Sequence, residues 1–185
     1  MYTGTIAKRY ATALAEFSAV RGEERIVYDE AQRVAVCLAE VEQLREALFA
    51  PTLTEEQKIA LIGKCCEGAM SGSLERFVRL VLSHRRERYL EFMLHSYVKI
   101  YKQRHSIVDV ELVSADELDA ATEERIANLV KEQTHSREAI VHTKVDKELI
   151  GGFTLRVEDQ MIDSSIRSQL NRLRRELAGN NKRIL

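Results

Sequence analysis

The chain has 185 residues, its 28 Lys+Arg are offset by 29 Asp+Glu to a formal charge of −1, and 45% of it is apolar. This is a globular composition with length for one domain or two small ones, which excludes a disordered chain and a large multi-site enzyme. A near-neutral total also argues against a surface built wholly for nucleic acid, and one Pro, eight Gly and no Trp exclude collagen-like and Pro-rich linker readings.

Up to about residue 105 every apolar pattern has the period of a helix. Ile6, Tyr10, Ala13, Leu14 and Phe17 fall on one face, with Lys8, Arg9 and Glu16 off it. Val27, Ala31, Val34, Leu38, Val41 and Leu48 predict one longer helix that stops at Pro51. Thr54 followed by Gln57 reads as a capping box, opening a helix through Ile59 and Ile62 that ends near Gly68. Phe77, Leu80 and Val81, then Leu90, Met93, Leu94, Tyr97 and Tyr101, predict two further helices that meet in the charged segment from His84 to Arg88. Residues 1–105 therefore read as an antiparallel helical bundle.

From residue 106 the period changes to two. Val108, Val110 and Leu112 alternate with Asp109 and Glu111 as a half-buried strand. Ser114 with Glu117 is a second capping-box candidate, opening a helix whose apolar face is Leu118, Ala121, Ile126, Leu129 and Val130. Val141, Thr143 and Val145 alternate, as do Phe153, Leu155 and Val157, and Glu158-Asp159-Gln160 separates that last strand from Met161-Ile162. Ile166, Leu170, Leu173 and Leu177 mark a final helix, with Gly179 as its stop. The expected fold is mainly α: an N-terminal bundle followed by a small α+β domain over residues 106–185.

No apolar run reaches the ~18 to 20 residues of a membrane-spanning helix, so a soluble chain without direct membrane insertion is expected. The opening MYTGTIAKRYATALAEFSAV has no signal-peptide core and reads as the start of a mature cytoplasmic fold. Cys37, Cys65 and Cys66 are an odd set with two neighbours, which favours reduced thiols over a disulfide framework. Charge is segregated: residues 76–104 hold eight bases against two acids, 106–163 six against fourteen, and 164–185 six against one. Such blocks suit docking of charged helical partners or simply solvated faces.

Chemistry finds little to work with. There is no phosphate-binding glycine loop and no HExxH, and His84, His95, His105, His135 and His142 have no metal-ligand spacing with the cysteines, so no catalytic residue, cofactor or metal is expected. Cys65-Cys66 lacks the further ligands a tetrahedral metal needs, and Ser164-Ser165 reads as helix capping. Gly151-Gly152 precedes a strand rather than a helix, which fits a tight turn or close backbone approach better than a phosphate cradle. Arg167, Arg172, Arg174, Arg175, Lys182 and Arg183 keep a nucleic-acid-binding adaptor open as the alternative, although no aromatic is interleaved for stacking.

The segment KVDKELIGGFTLRVEDQMIDSSIRSQLNRLRREL, from Lys144 to Leu177, resembles the C-terminal signature of the delta subunit of bacterial F-type ATP synthase, the counterpart of mitochondrial OSCP. Asp146, Gly151, Gly152, Asp163 and Arg167 are its fixed points here. AKRYATAL at Ala7 to Leu14 is similar to the family's opening helix, and FVRLVLSHRRERYLEFM from Phe77 to its fifth helix and turn. Ser164 and Ser168 stand where the family usually has glycine, and His84-Arg85 where it has Asn-Gly. The first departure predicts no tight backbone approach at the last helix, and the second a less sharp turn near residue 85.

The resemblance implies a non-catalytic peripheral-stalk subunit, one copy per complex, on the cytoplasmic face of the bacterial inner membrane. It implies that the bundle receives the N-terminal helix of an alpha subunit in a groove between its first and fifth helices, and that the C-terminal domain meets the C-terminal ends of the b subunits. Carried over by position, the groove is lined by Ile6, Tyr10, Ala13, Leu14, Phe17, Phe77, Leu80 and Val81. Tyr10 is the strongest candidate, since its ring can pack while its hydroxyl stays wet.

Overall fold

In the computed structural model, the described residues are 3–66, 68–157 and 160–180, with side chains from 4 to 174 within these ranges. The chain divides into two compact units, Met1–Arg104 and His105–Leu185. The first is helical: α1 (Thr3–Arg21), α2 (Glu24–Glu40), α3 (Glu42–Phe49), α4 (Glu55–Lys64), α5 (Gly72–Ser83) and α6 (Leu90–Arg104), with a 3-10 turn at Glu87–Tyr89. The helix α6 is the central staff, packed along both α1 and α2. Its Leu90, Met93, Leu94 and Tyr97 are buried with Leu14, Val27, Val34, Leu38, Leu74 and Val78. The buried Tyr97 hydroxyl donates to the Glu24 carbonyl at 3.2 Å and lies 3.2 Å from the Ser18 hydroxyl, and burial pushes its pKa up to about 12.

The single long helix expected to reach Pro51 is two. Val41 is extended, at φ −104° and ψ 95°, and separates α2 from α3. A straight helix over both would run about 39 Å against about 28 Å for α1, at 1.5 Å per residue, and would overshoot the bundle. With the break at Val41, Leu48 of α3 is buried while Val41 stays exposed.

The capping box at α4 forms in full: Thr54 Oγ1 accepts from the Gln57 N–H at 3.3 Å, and Gln57 Oε1 accepts from the Thr54 N–H at 3.0 Å. That helix ends at Lys64, short of Gly68. The turn after α5 is as tight as a glycine would make it, contrary to expectation. Arg85 takes φ 54°, and the Arg86 and Arg85 N–H groups donate to the Val81 and Leu82 carbonyls at 3.0 and 2.8 Å, closing the helix end.

Two buried-facing carboxylates tie the start of α5 to α2. Glu30, itself buried, accepts from the Ser71 N–H at 2.7 Å and from its hydroxyl. Glu23 accepts from the Arg21 guanidinium at 3.0 Å and from the Ser73 N–H at 3.0 Å, and these donors, Arg21 foremost and then Ser73, lower its pKa from 4.5 to about 2. Because the folded value is depressed, this contribution to stability is complete above about pH 4.5 and lost as pH falls towards 2. Glu23→Gln is therefore expected to flatten that acid limb in urea unfolding measured as a function of pH.

The second unit contains β1 (Ile107–Ser114), α7 (Ala120–Thr134), β2 (Glu138–Val145), β3 (Phe153–Val157), β4 (Gln160–Asp163) and α8 (Ile166–Asn180), with a 3-10 turn at Lys147–Leu149. Its sheet has the order β2-β1-β3-β4. β1 and β2 are parallel, and the other two pairings are antiparallel. Val110 lies in register with Val141 and Val157, which lines up the apolar sides of β2, β1 and β3. Val108, Val110, Leu112, Leu155 and Val130 of α7 form the core, with Ile126 packed against it. The opposite face is charged: Glu111 pairs with Lys144 at 2.9 Å and Arg156 at 3.7 Å, and Asp109 with His142 at 3.6 Å.

Ser114 does not cap α7. It closes β1, and its hydroxyl donates to the Asp116 carbonyl; the helix starts later, after Asp119, whose carboxylate accepts from the Thr122 hydroxyl. Leu118 precedes the helix but still packs against the core with Val130 and Ile126, whereas Ala121 and Leu129 are exposed. Gln160-Met161-Ile162 belongs to β4, a strand the alternation did not reveal. Glu158 and Asp159 lie outside the described residues, as do Lys182 and Arg183 and the side chains of Arg175 and Leu177.

Candidate docking surfaces

A cleft of about 400 Å³ opens between α1 and α5, walled by Ala13, Leu14 and Phe17 from one helix and Arg76, Phe77 and Leu80 from the other. Five of the eight groove positions predicted from sequence meet here. Leu14 and Phe77 form a buried floor, whereas Phe17 is 37% and Leu80 45% exposed, so the rim offers apolar surface that nothing in the unit covers. Arg76, which sequence reasoning missed, is the charged side chain of this wall; its only signal was the basic excess of residues 76–104.

The other three positions sit elsewhere. Val81 is fully buried in the bundle core, one residue and about 100° around the helix from Leu80. Ile6 is half-buried, as is Tyr10. The Tyr10 hydroxyl accepts from the Arg86 guanidinium at 3.0 Å, the same guanidinium lies 5.3 Å from the ring centroid, and the ring meets Phe77 edge-on at 6.4 Å. Tyr10 thus braces α1 against the turn after α5, at the side of the cleft.

In the second unit the signature residues build a backbone clasp. Asp146 accepts from the Glu148 N–H at 2.9 Å and starts the 3-10 turn. The Phe153 carbonyl accepts from the Ser164 N–H at 3.0 Å and the Gly151 carbonyl from the Ile166 N–H at 2.9 Å, which seats the start of α8 on the start of β3. The approach is tight despite Ser164 and Ser168. A Cβ on Gly151 would lie 2.6 Å from Ile166 Cδ1, and one on Gly152, which has φ +78°, would meet the Ser164 carbonyl. Glycine on the β3 side carries the close approach, so none is needed at 164. Asp163 accepts from the Ser165 N–H at 2.9 Å and the Ser168 hydroxyl at 2.6 Å, and these bonds, that from Ser168 first, lower its pKa. Gly152→Ala combines a left-handed backbone with a clash and is expected to cost about 2–4 kcal/mol, read as a lower urea midpoint.

The stripe of α8 is not core: Ile166, Leu170 and Leu173 are exposed, together with Ile150, Met161 and Ile162. Ile150 is held at φ 66°, an unfavourable region for a β-branched residue, and is 67% exposed. Arg167 of the basic helix is engaged with Glu148 at 3.0 Å. Among the described residues no three His, Cys, Asp or Glu side chains converge on a metal-sized site, and no helix is long and apolar enough to cross a membrane.

The family model for the ATP synthase delta (OSCP) subunit matches residues 6–177. The chain is 36% identical over 186 residues to the ATP synthase subunit delta of Phocaeicola vulgatus, with 100% of both chains covered. It is 34% identical over 167 residues to that of Rubrobacter xylanophilus, covering 89% of this chain and 92% of the relative. A chain in the cryo-EM structure of the Toxoplasma gondii mitochondrial ATP synthase hexamer shares the fold, with a TM-score of 0.68 at 16% identity over 93% of this chain and 97% of that one. A signature clasp, a bundle with an open cleft and a match along nearly the whole length agree: the chain belongs to the ATP synthase delta (OSCP) subunit family.

Proposed function

We propose that this chain is the non-catalytic stator subunit at the top of the peripheral stalk of an F-type ATP synthase, on the cytoplasmic face of a bacterial inner membrane. The bundle holds the catalytic headpiece by taking the N-terminal helix of an alpha subunit into the cleft between α1 and α5. The C-terminal unit meets the ends of the b subunits through the apolar surface around Ile150 and α8. So joined, the headpiece is kept from turning with the central shaft.

The observation that carries this reading is the cleft, an apolar slot between two helices whose rim residues Phe17 and Leu80 are uncovered. An amphipathic helix laid in such a slot is recognised by side chains at i, i+3, i+4 and i+7. A joint under continuous torque needs slow dissociation. A nanomolar constant corresponds to about −12 kcal/mol, and each large apolar side chain that becomes fully buried contributes roughly 1.5–3 kcal/mol before association costs, so a handful of anchors has the right size.

The division of labour is tested by deleting residues 106–185. The remaining bundle is expected to unfold cooperatively and to retain headpiece binding in co-sedimentation, while losing the bridge to the b subunits. Loss of headpiece binding by a folded fragment would contradict the assignment.

A further inference from the structure

The bundle treats its three cysteines differently. Cys66 is buried, and its thiol donates to the Ile62 carbonyl one turn back at 3.7 Å. Cys37, in the last turn of α2, and Cys65, the residue that caps α4, are each only partly buried. Both line one cleft of about 620 Å³ between α2, the end of α4 and α6, with Arg33, His95 and Lys102 on its walls. Far apart in sequence, the two are brought by the fold to the wall of one cleft, where the Cys65 thiol donates to the Leu61 carbonyl at 3.8 Å.

We propose that Cys37 and Cys65 form a dithiol site that exchanges with low-molecular-weight disulfides and closes into an intramolecular disulfide, stapling α2 to the end of α4. Burial, and next the Cys37 side chain beside it, push the Cys65 thiol up to about 12, so Cys65 keeps its proton and the attack falls to Cys37 on the same cleft wall. The Cys37 thiolate attacks one sulfur of the small disulfide, whose S–S bond breaks and releases a thiolate. Solvent takes the proton that Cys37 gives up, protonates the released thiolate, and in the next step takes the Cys65 proton. The Cys65 sulfur then attacks the Cys37 sulfur of the mixed disulfide and expels the second small thiolate, which is protonated by solvent. Two protein thiols are oxidised and one small disulfide is reduced to two thiols.

The cleft suits an anionic disulfide, because Arg33 and Lys102 give its wall positive charge. The neighbouring pair Cys65-Cys66 is a poorer choice, since the Cys66 thiol turns into the core and towards its own helix backbone. In a reducing compartment the bridge forms only when the thiol pool is oxidised, so it reports redox state rather than holding the fold together.

The probe is glutathione disulfide, added to the reduced full chain under native conditions and followed by intact mass and a proteolytic map. The expected product has lost two hydrogens, links the Cys37 and Cys65 peptides, and melts several degrees higher than the reduced chain. Cys66→Ala closes the same bridge. Cys65→Ser stops at a glutathione adduct on Cys37, and Cys37→Ser slows adduct formation at Cys65 at least about tenfold. Three thiols still reduced under excess probe, or a bridge mapped to Cys65-Cys66 or between chains, would overturn the proposal. Where a variant folds poorly, the map of the unaltered chain decides alone.

Discussion

Leu80→Asp is expected to leave the bundle folded and to weaken its hold on the headpiece by about 3 kcal/mol or more, roughly a hundredfold in dissociation constant. Leu80 is nearly half exposed, so a carboxylate there is solvated in the free chain. In the complex it would be enclosed between Phe17, Phe77 and an apolar helix, with its hydration removed. Ile26→Asp is the control: Ile26 is exposed on α2, somewhat more than Leu80, and lies outside the cleft, so binding is expected to be unchanged. Tyr10→Asp is a poorer probe. It would also remove the contacts with Arg86 and Phe77 that brace α1, mixing a folding defect with a binding one.

The largest effect on stability is expected at the ion pair between Lys58 of α4 and Glu87 of the 3-10 turn, 3.1 Å apart, with side chains only 8% and 16% exposed. Lys58→Ala leaves a largely desolvated carboxylate without its partner and is expected to cost about 3–5 kcal/mol, much of a typical domain's stability. The double variant Lys58→Met, Glu87→Leu is expected to recover most of that loss, because an apolar pair of similar volume removes both desolvation costs. Urea midpoints of the two single variants and the double variant give the coupling directly. Breaking the exposed pair of Arg79 and Glu75, 3.0 Å apart, is expected to cost at most about 1 kcal/mol.

What could be read from the residues follows the range of the forces involved. The capping box of α4 was legible because both partners lie within three residues, so local geometry alone decides it. Ser114 and Glu117 show the same pattern, yet there the pairing of β1 with β2 and β3 holds Ser114 in the strand, and tertiary structure overrides the local motif. Val41 carries no mark of the break between α2 and α3, which follows from the size of the bundle. Likewise β4 has only four residues and no buried side, leaving no alternation to detect.

The groove was legible only as a face. Periodicity put Leu14 and Phe17 on one side of α1, and Leu80 beside Val81 on α5, but it cannot say which of them a neighbouring helix covers. That depends on packing with α6 and on the long-range brace of Arg86 on Tyr10. Arg76 had no apolar signal, so it entered only when the fold brought it to the cleft wall. The change of period near residue 106 marked the two units before any resemblance, and the resemblance added the fixed glycines at the positions where a side chain would collide with the start of α8.

The central claim is that the slot between α1 and α5 is where the headpiece is held. It is tested most directly by calorimetric titration of the full chain with a peptide of the first ~20 residues of the same organism's alpha subunit, about 30 Å long as a helix. The account predicts tight one-to-one binding with a negative heat-capacity change, strongly weakened by Leu80→Asp and unaffected by Ile26→Asp. Absence of binding, or binding that Leu80→Asp leaves untouched, would contradict it.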